Sequence, residues 1–476
     1  MRPTVTSMLC ALALVSTAAR AFDAGPWLED FDEARAAFAQ KYANFEWAIF
    51  QREADLAKLF ADAREQVAQA SSDEEARAAF QRLARSLGDG HVQFRWPRRP
   101  RGESSGATEP DRCRALGYDA KMSGRFLASY LPGYRPLPSA RSEFPAGVTS
   151  LEGRTIGVLR IGLFSPRLVP ALCENALEAL KVVGPCDDDA CSDRVEDWAA
   201  TQLTRDLDAT LVALRKAGAQ TLLVDIARNG GGSEWAEAAA RMVTAVRLTS
   251  ERIGFVRGPH WVRKWRALAD DMDKAAADAG DDRAMLVSYA NEARARARIA
   301  AAPCSSEPFW KGARPRCSWL GEGFYATGPL GATPDPEMRS KPWAPLVFTP
   351  SKYAFRPGAW DGPLIVLVDG NTASAAEEFA AVLQDNQAAV IIGAPTAGAG
   401  CGHTDGGTPT TLSRTGGVLE VPDCARLRLN GENEVAGIQP DVLVGLRDHD
   451  GVRQQARLVA AKLAEAERRA RSLARP

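Results

Sequence analysis

The chain has 476 residues, 45% of them hydrophobic and 25% charged, with a formal net charge of −1. That length can bury a large core in two or three domains. The near-neutral balance gives no electrostatic basis for binding nucleic acid or an anionic surface, and the cluster of Arg95, Arg98, Arg99 and Arg101 sits among prolines and glycine as a solvated loop.

Residues 1–21 read as a secretory signal. Arg2 precedes an apolar stretch from about Met8 to Val15, and Ala19-Arg20-Ala21 forms a small-x-small cleavage pattern before Phe22. The stretch is too short to span a bilayer, no other segment reaches membrane-helix length, and Cys10 lacks the small residues that lipoprotein processing needs before it. The expected location is periplasmic or secreted. The eight cysteines beyond Cys10 agree with an oxidising compartment. Spacing suggests Cys186 with Cys191, Cys304 with Cys317 and Cys401 with Cys424, which leaves Cys113 and Cys173, although eight cysteines allow about 105 connectivities. A zinc site at Cys401, His403 and Cys424 lacks a fourth ligand and CxxC spacing, so neither metal nor cofactor is expected.

Residues 22–90 read as a helical bundle. Phe31, Ala34, Phe38, Tyr42 and Phe45 recur at helical spacing, as do Leu56, Leu59, Phe60, Ala63 and Val67. A further helix opens with Ser72 and Glu75 in capping-box spacing and stops at Gly88. Residues 91–150, rich in Pro, Gly, Arg and Ser, form a linker or irregular subdomain. From Thr155 onward strands alternate with helices, which predicts a mostly parallel sheet covered by helices: an α/β core over residues 151–249 and 346–450. Residues 250–345 interrupt it as a largely helical insertion able to cover a cleft, and residues 451–476 form a C-terminal helix.

Two strand ends in this core carry chemistry. Thr221–Ile226 runs into Ala227-Arg228-Asn229-Gly230-Gly231-Gly232, whose glycines let backbone N–H groups approach a ligand closely. No Lys-Ser/Thr pair follows, as a phosphate loop requires. Leu364–Val368 breaks at Asp369-Gly370-Asn371 and presents Thr372-Ala373-Ser374-Ala375-Ala376-Glu377 at a helix start. Unpaired N–H groups there can stabilise an oxyanion, although serine is also a preferred N-cap. A serine nucleophile needs a base. Of the four histidines, His260 and His449 sit in surface-like settings, while His91 and His403 are the candidates.

The ordered set Leu87-Gly88-Asp89-Gly90-His91, Val224 to Gly232, Thr372 to Glu377 and Gly437-Ile438-Gln439-Pro440-Asp441 resembles the tail-specific, or carboxyl-terminal processing, serine peptidases and the tricorn protease core. The resemblance implies a crotonase- or ClpP-like α/β spiral core and hydrolysis of peptide bonds in peptide or protein substrates. It implies Ser374 as the nucleophile, with the N–H groups of Gly231, or the adjacent Gly230 or Gly232, and of Ala375 as oxyanion donors. The processing branch pairs its serine with a lysine in a Thr-x-Gly-Lys setting. Here that stretch is Thr396-Ala397-Gly398-Ala399, without lysine. The tricorn-like branch instead uses a histidine from the first motif and a glutamate before the Gly-x-x-Pro-Asp motif, positions held by His91 and Glu434, so a Ser374, His91 and Glu434 triad is implied, with His403 as the alternative base. Gly90 replaces the bridging serine of that branch. The stretch between His91 and Thr155 is too short for a complete PDZ domain, which shifts specificity to residues 250–345. Retinoid-binding proteins with the same core make an apolar-ligand carrier or a degenerate, non-catalytic peptidase-like module the alternative, and a serine esterase is a third reading. Oligomeric state has no sequence signal.

Overall fold

A computed structural model describes residues 22–97, 112–122, 125–138, 143–404, 409–447 and 449–474. The expected signal segment and Arg98, Arg99 and Arg101 lie outside these residues. Arg95 is described and pairs with Glu420.

The core is a seven-stranded sheet in the order Val442–Leu443, Val390–Gly393, Leu364–Val368, Thr221–Asp225, Arg154–Arg160, Ala146–Leu151 and Arg135–Pro136. The first five strands are mutually parallel, and the last two add antiparallel pairs at the edge. Successive side chains of a strand point to opposite faces, so a sheet covered on both sides needs unbroken apolar runs. On one face Leu222, Val224, Leu364, Val366 and Ile391 pack with helices Asp189–Lys216, Trp235–Met242 and Ala375–Asp385. On the other, Leu223, Ile365, Leu367, Val390 and Ile392 pack with the C-terminal helix Val452–Leu473.

The N-terminal bundle comprises Gly25–Lys41, Phe45–Phe50, Leu56–Ala68 and Asp73–Leu87. Phe31, Phe38, Phe45, Phe60 and Phe80 fill its centre. Ser72 Oγ accepts from the Glu75 N–H at 3.2 Å at the start of the last helix, and Gly88 ends it with φ +68. The bundle packs on a small sheet of Gln93–Arg95, Val418–Glu420 and Thr410–Thr411.

Residues 250–345 contain a helical hairpin, Pro259–Ala277 and Arg283–Ala301. They also contain two strands the sequence reading leaves out, Arg252–Val256 and Leu320–Tyr325, which form a third sheet with Cys424–Leu427. The segment is therefore stitched into the core by backbone hydrogen bonds to a strand far along the chain. Both strands are short and interrupted by glycine, so neither shows the alternation that marks a strand. The Ala146–Leu151 strand, within the stretch read as linker, is likewise short and gains its partner only through the sheet.

The disulfides are Cys113–Cys173, Cys186–Cys191, Cys304–Cys317 and Cys401–Cys424. The last pairing consumes both thiolates that a zinc site with His403 would need. Among the described residues no helix is long and apolar enough to cross a membrane. The disulfides fit an exported protein.

Candidate active site

The Thr221–Asp225 and Leu364–Val368 strands are adjacent and parallel, and the loops leaving their carboxyl ends meet. Ligand sites of open α/β sheets form at such carboxyl ends. Here the loops are tied together: the Arg228 N–H donates to Asp369 Oδ1 at 2.8 Å, Ala373 N–H to Asn229 O at 3.0 Å, and Thr372 Oγ1 to Ile226 O at 3.2 Å. Ser374 follows directly, with φ +57 and ψ −124. A non-glycine residue in this region costs on the order of 1–3 kcal/mol and persists only where its surroundings hold it. A strained serine between a strand and a helix start is the geometry that presents a nucleophile.

Gly231 packs on that turn with φ +110. A Cβ there would lie 2.7 Å from Ser374 Cβ and 3.0 Å from Ala375 N, so only glycine admits the approach. The Gly231 N–H itself donates to Asn229 Oδ1 at 2.9 Å. That donor, implied by the resemblance to face an oxyanion, is thus occupied by an Asx turn. A Cβ on Gly230 would meet nothing within 4 Å, so this glycine borders open space. Ala375 is the first residue of its helix, where an N–H has no intrahelical acceptor.

Glu377 organises the turn. Its Oε2 accepts from Ser374 N at 2.9 Å and Ala399 N at 2.8 Å, and its Oε1 from Gly398 N at 2.7 Å and Thr396 Oγ1 at 2.5 Å. Burial and the nearby Glu434 push its pKa up, against the pull of these donors. One carboxylate therefore joins the serine's backbone to the 396–399 loop, and that loop holds His91. His91 Nδ1 lies 2.6 Å from Ala399 O, and its backbone N–H donates to Asp89 Oδ1 at 3.0 Å. A carbonyl oxygen only accepts, so Nδ1 carries the proton and Nε2 the free lone pair. Burial lowers the His91 pKa to about 4; the Ala399 carbonyl works against that shift and Arg426 adds to it. The imidazole is neutral at pH 7.

Glu434 is buried and bound by Arg426 rather than by His91: Nε donates to Oε2 at 2.7 Å and a terminal nitrogen to Oε1 at 2.5 Å. The same guanidinium reaches Ser374 O at 3.1 Å, Gly400 O at 2.8 Å and Glu378 Oε2 at 3.3 Å. Glu251 Oε2 stands 3.8 Å away, and a protonated Glu251 can share a side-chain hydrogen bond with Glu434. Three buried carboxyls around one cation cannot all ionise. Burial and Glu434 push Glu251 well above the carboxylate range, and burial pushes Glu378 up to about 8. Burial raises Glu434 too, but Arg426 outweighs it and keeps that carboxyl ionised. Arg426 and Glu434 thus form the favoured ion pair of the cluster, and the charged forms of Glu251 and Glu378 are disfavoured.

Among the described residues no hydrogen bond joins the Ser374 hydroxyl to His91, His403 or Glu434. Ser374, Ala375, Glu378 and the exposed His403 line one cleft of about 510 Å³, with the Cys401–Cys424 disulfide in its wall. A Cβ on Gly402 would sit 3.5 Å from His91 Nε2, which places that nitrogen against the same loop. His260, surface-like in sequence, is instead buried with Nε2 3.1 Å from Asp423 Oδ2, because the third sheet brings its helix against Asp423. His449 is exposed.

A family model described as peptidase family S41 matches residues 194–444, just over half of the chain. The chain belongs to peptidase family S41. It is a serine-type peptidase, and its substrates are peptides or proteins. No curated protein matches it. Among solved structures, mature CPAF is 14% identical over 93% of this chain and 96% of its own, with a TM-score of 0.56. Mature CPAF complexed with lactacystin is 14% identical over 95% and 99%, also at 0.56. A putative peptidase from Parabacteroides merdae is 13% identical over 92% and 96%, at 0.46.

Two residues of this S41 site escape a sequence reading. Arg426 is a lone arginine in a four-residue strand and carries no signal. Glu377 does carry one: it stands three residues after Ser374, the spacing of a capping box, and its carboxylate accepts from the Ser374 N–H.

Proposed function

We propose that this peptidase cleaves through Ser374 as nucleophile and His91 as general base, in an exported protein of the tricorn-like branch. The supporting observation is the chain of contacts from the Ser374 turn through Glu377 and Ala399 to His91 Nδ1. It leaves Nε2 as the basic nitrogen of a ring neutral at physiological pH, packed against Gly402 of the loop whose Cys401 and His403 line the cleft. His91 Nε2 takes the Ser374 proton as Oγ attacks the scissile carbonyl carbon. The oxyanion accepts from the Ala375 N–H beside the Gly230–Gly232 turn. Collapse expels the amine, which takes the proton back from His91, and water deprotonated by His91 then hydrolyses the acyl-enzyme. Hydrogen bonds between nucleophile and base are often long in unliganded enzymes and shorten in the Michaelis complex.

Glu434 acts at one remove in this reading. The Ala399 carbonyl orients the imidazole, and Glu434, kept ionised by Arg426, offsets part of that guanidinium's opposition to the imidazolium. The test is labelling by a fluorophosphonate, with the modified peptide located by mass spectrometry. Labelling at Ser374 that disappears in Ser374→Ala supports the reading; an unlabelled wild type, or equal labelling of the variant, overturns it.

A further inference from the structure

We infer that the cleft wall contributed by residues 253–346 is a subsite for one large apolar side chain of the substrate, flanking the bond cut at Ser374. Trp261, Trp265 and Phe324 make its floor and are locked by mutual ring contacts, with centroids 5.4 Å apart for the two tryptophans and 5.5 Å for Trp265 and Phe324. Ile253, Leu268 and Leu346 are only partly buried and edge the same space, so they expose apolar surface toward whatever enters. Ser374 and Ala375 line the same cleft. A volume of about 510 Å³ exceeds any single side chain and falls in the range of built ligand pockets.

The floor cannot collapse inward to cover itself. Its aromatic residues belong to a core cluster that the helical hairpin already fills with Ala269, Met272, Ala290 and Ala293. Three charged side chains that line the same cleft are already engaged: Glu234 pairs with Lys352, Arg426 with Glu434, and the Lys264 ammonium lies 5.5 Å from the Trp261 ring centroid. Burial pushes the Glu378 carboxyl up to about 8, which disfavours its charged form beside an apolar guest. Burying one leucine or phenylalanine side chain favours binding by about 10- to 100-fold, while a charged side chain there gives up hydration. Large apolar residues are mostly hidden in folded proteins, so the subsite selects unfolded or loosely folded segments.

The inference rests on the proposed role of Ser374 only in naming the scissile bond, and its test does not depend on turnover. Peptides Ac-Ala-Ala-Xaa-Ala-Ala-NH2 are titrated into Ser374→Ala protein, with the fluorescence of Trp261 and Trp265 or calorimetry as readout. The expected result is binding about 10- to 100-fold tighter for Phe, Leu or Met at Xaa than for Asp, Lys or Gly, the span that burying one side chain supports. Leu268→Asp and Leu346→Asp, both at partly exposed positions, are expected to erase most of that span while circular dichroism stays native. Affinity independent of Xaa, or a preference kept by both folded variants, overturns the subsite. Failure of the nucleophile reading is seen separately, as an unlabelled wild type whose binding preference persists.

Discussion

Replacing Glu377 by alanine removes one carboxylate and strands four donors: the N–H groups of Ser374, Gly398 and Ala399 and the Thr396 hydroxyl. An unsatisfied buried donor costs about 1–3 kcal/mol. The Thr396 hydroxyl can rotate and water can enter the space left, so the net loss is about 3–5 kcal/mol rather than the full sum. Activity suffers for a different reason. Glu377 ties the Ser374 turn to the loop whose Ala399 carbonyl holds His91, beside the Ala397 N–H to Thr372 O bond and the Arg426 bridge, and a misplacement of about 1 Å costs on the order of 100-fold in rate. Glu377→Gln keeps one carbonyl oxygen for two donors but turns an amide against the other two, so it rescues only part of either loss. Urea unfolding followed by tryptophan fluorescence reads the stability, and the rate of fluorophosphonate labelling reads the site. A Glu377→Ala protein with the wild-type urea midpoint and labelling rate would refute this account of how the site is held.

Arg426→Met leaves Glu434 buried and unpaired, so unfolding free energy should fall by about 3–5 kcal/mol. Adding Glu434→Gln should recover much of it, and a double variant as unstable as the single one would contradict the ion-pair reading. The pH dependence of kcat/KM should keep its activity well below pH 6, with the acidic limb near 4, because the folded His91 pKa is lowered to about 4 and the base is neutral above it. The same shift makes the unfolded chain the better proton acceptor between about pH 4 and 6.5, so the His91 contribution to stability is present above that window and lost as pH falls through it. An acidic limb at the ordinary histidine value would remove His91 as the buried base.

Much of the architecture is legible in the sequence because its determinants are local. Leu364–Val368 is apolar on both faces, Thr221–Ile226 carries Leu222, Leu223, Val224 and Ile226, and both faces are covered. Ser72, Glu75 and Gly88 mark the ends of one helix by capping chemistry alone. What stays hidden is set by distant partners. Arg252–Val256 becomes a strand only because Cys424–Leu427 lies beside it, and Arg426 acquires its role only when that pairing places it behind Ser374. Glu434 is singled out only by the family resemblance, because nothing local shows that the same strand carries the guanidinium that allows its burial. His260 follows the same logic, since Asp423, the residue before that strand, draws it inside.

The central claim is that His91, rather than the cleft-lining His403, activates Ser374. Single-turnover acylation of His91→Ala and His403→Ala, measured side by side with the wild type, tests it most directly. Loss of a general base costs about 10²- to 10⁴-fold, and the account predicts that loss for His91→Ala with His403→Ala acylating at the wild-type rate. A large loss in His403→Ala beside an active His91→Ala would contradict it.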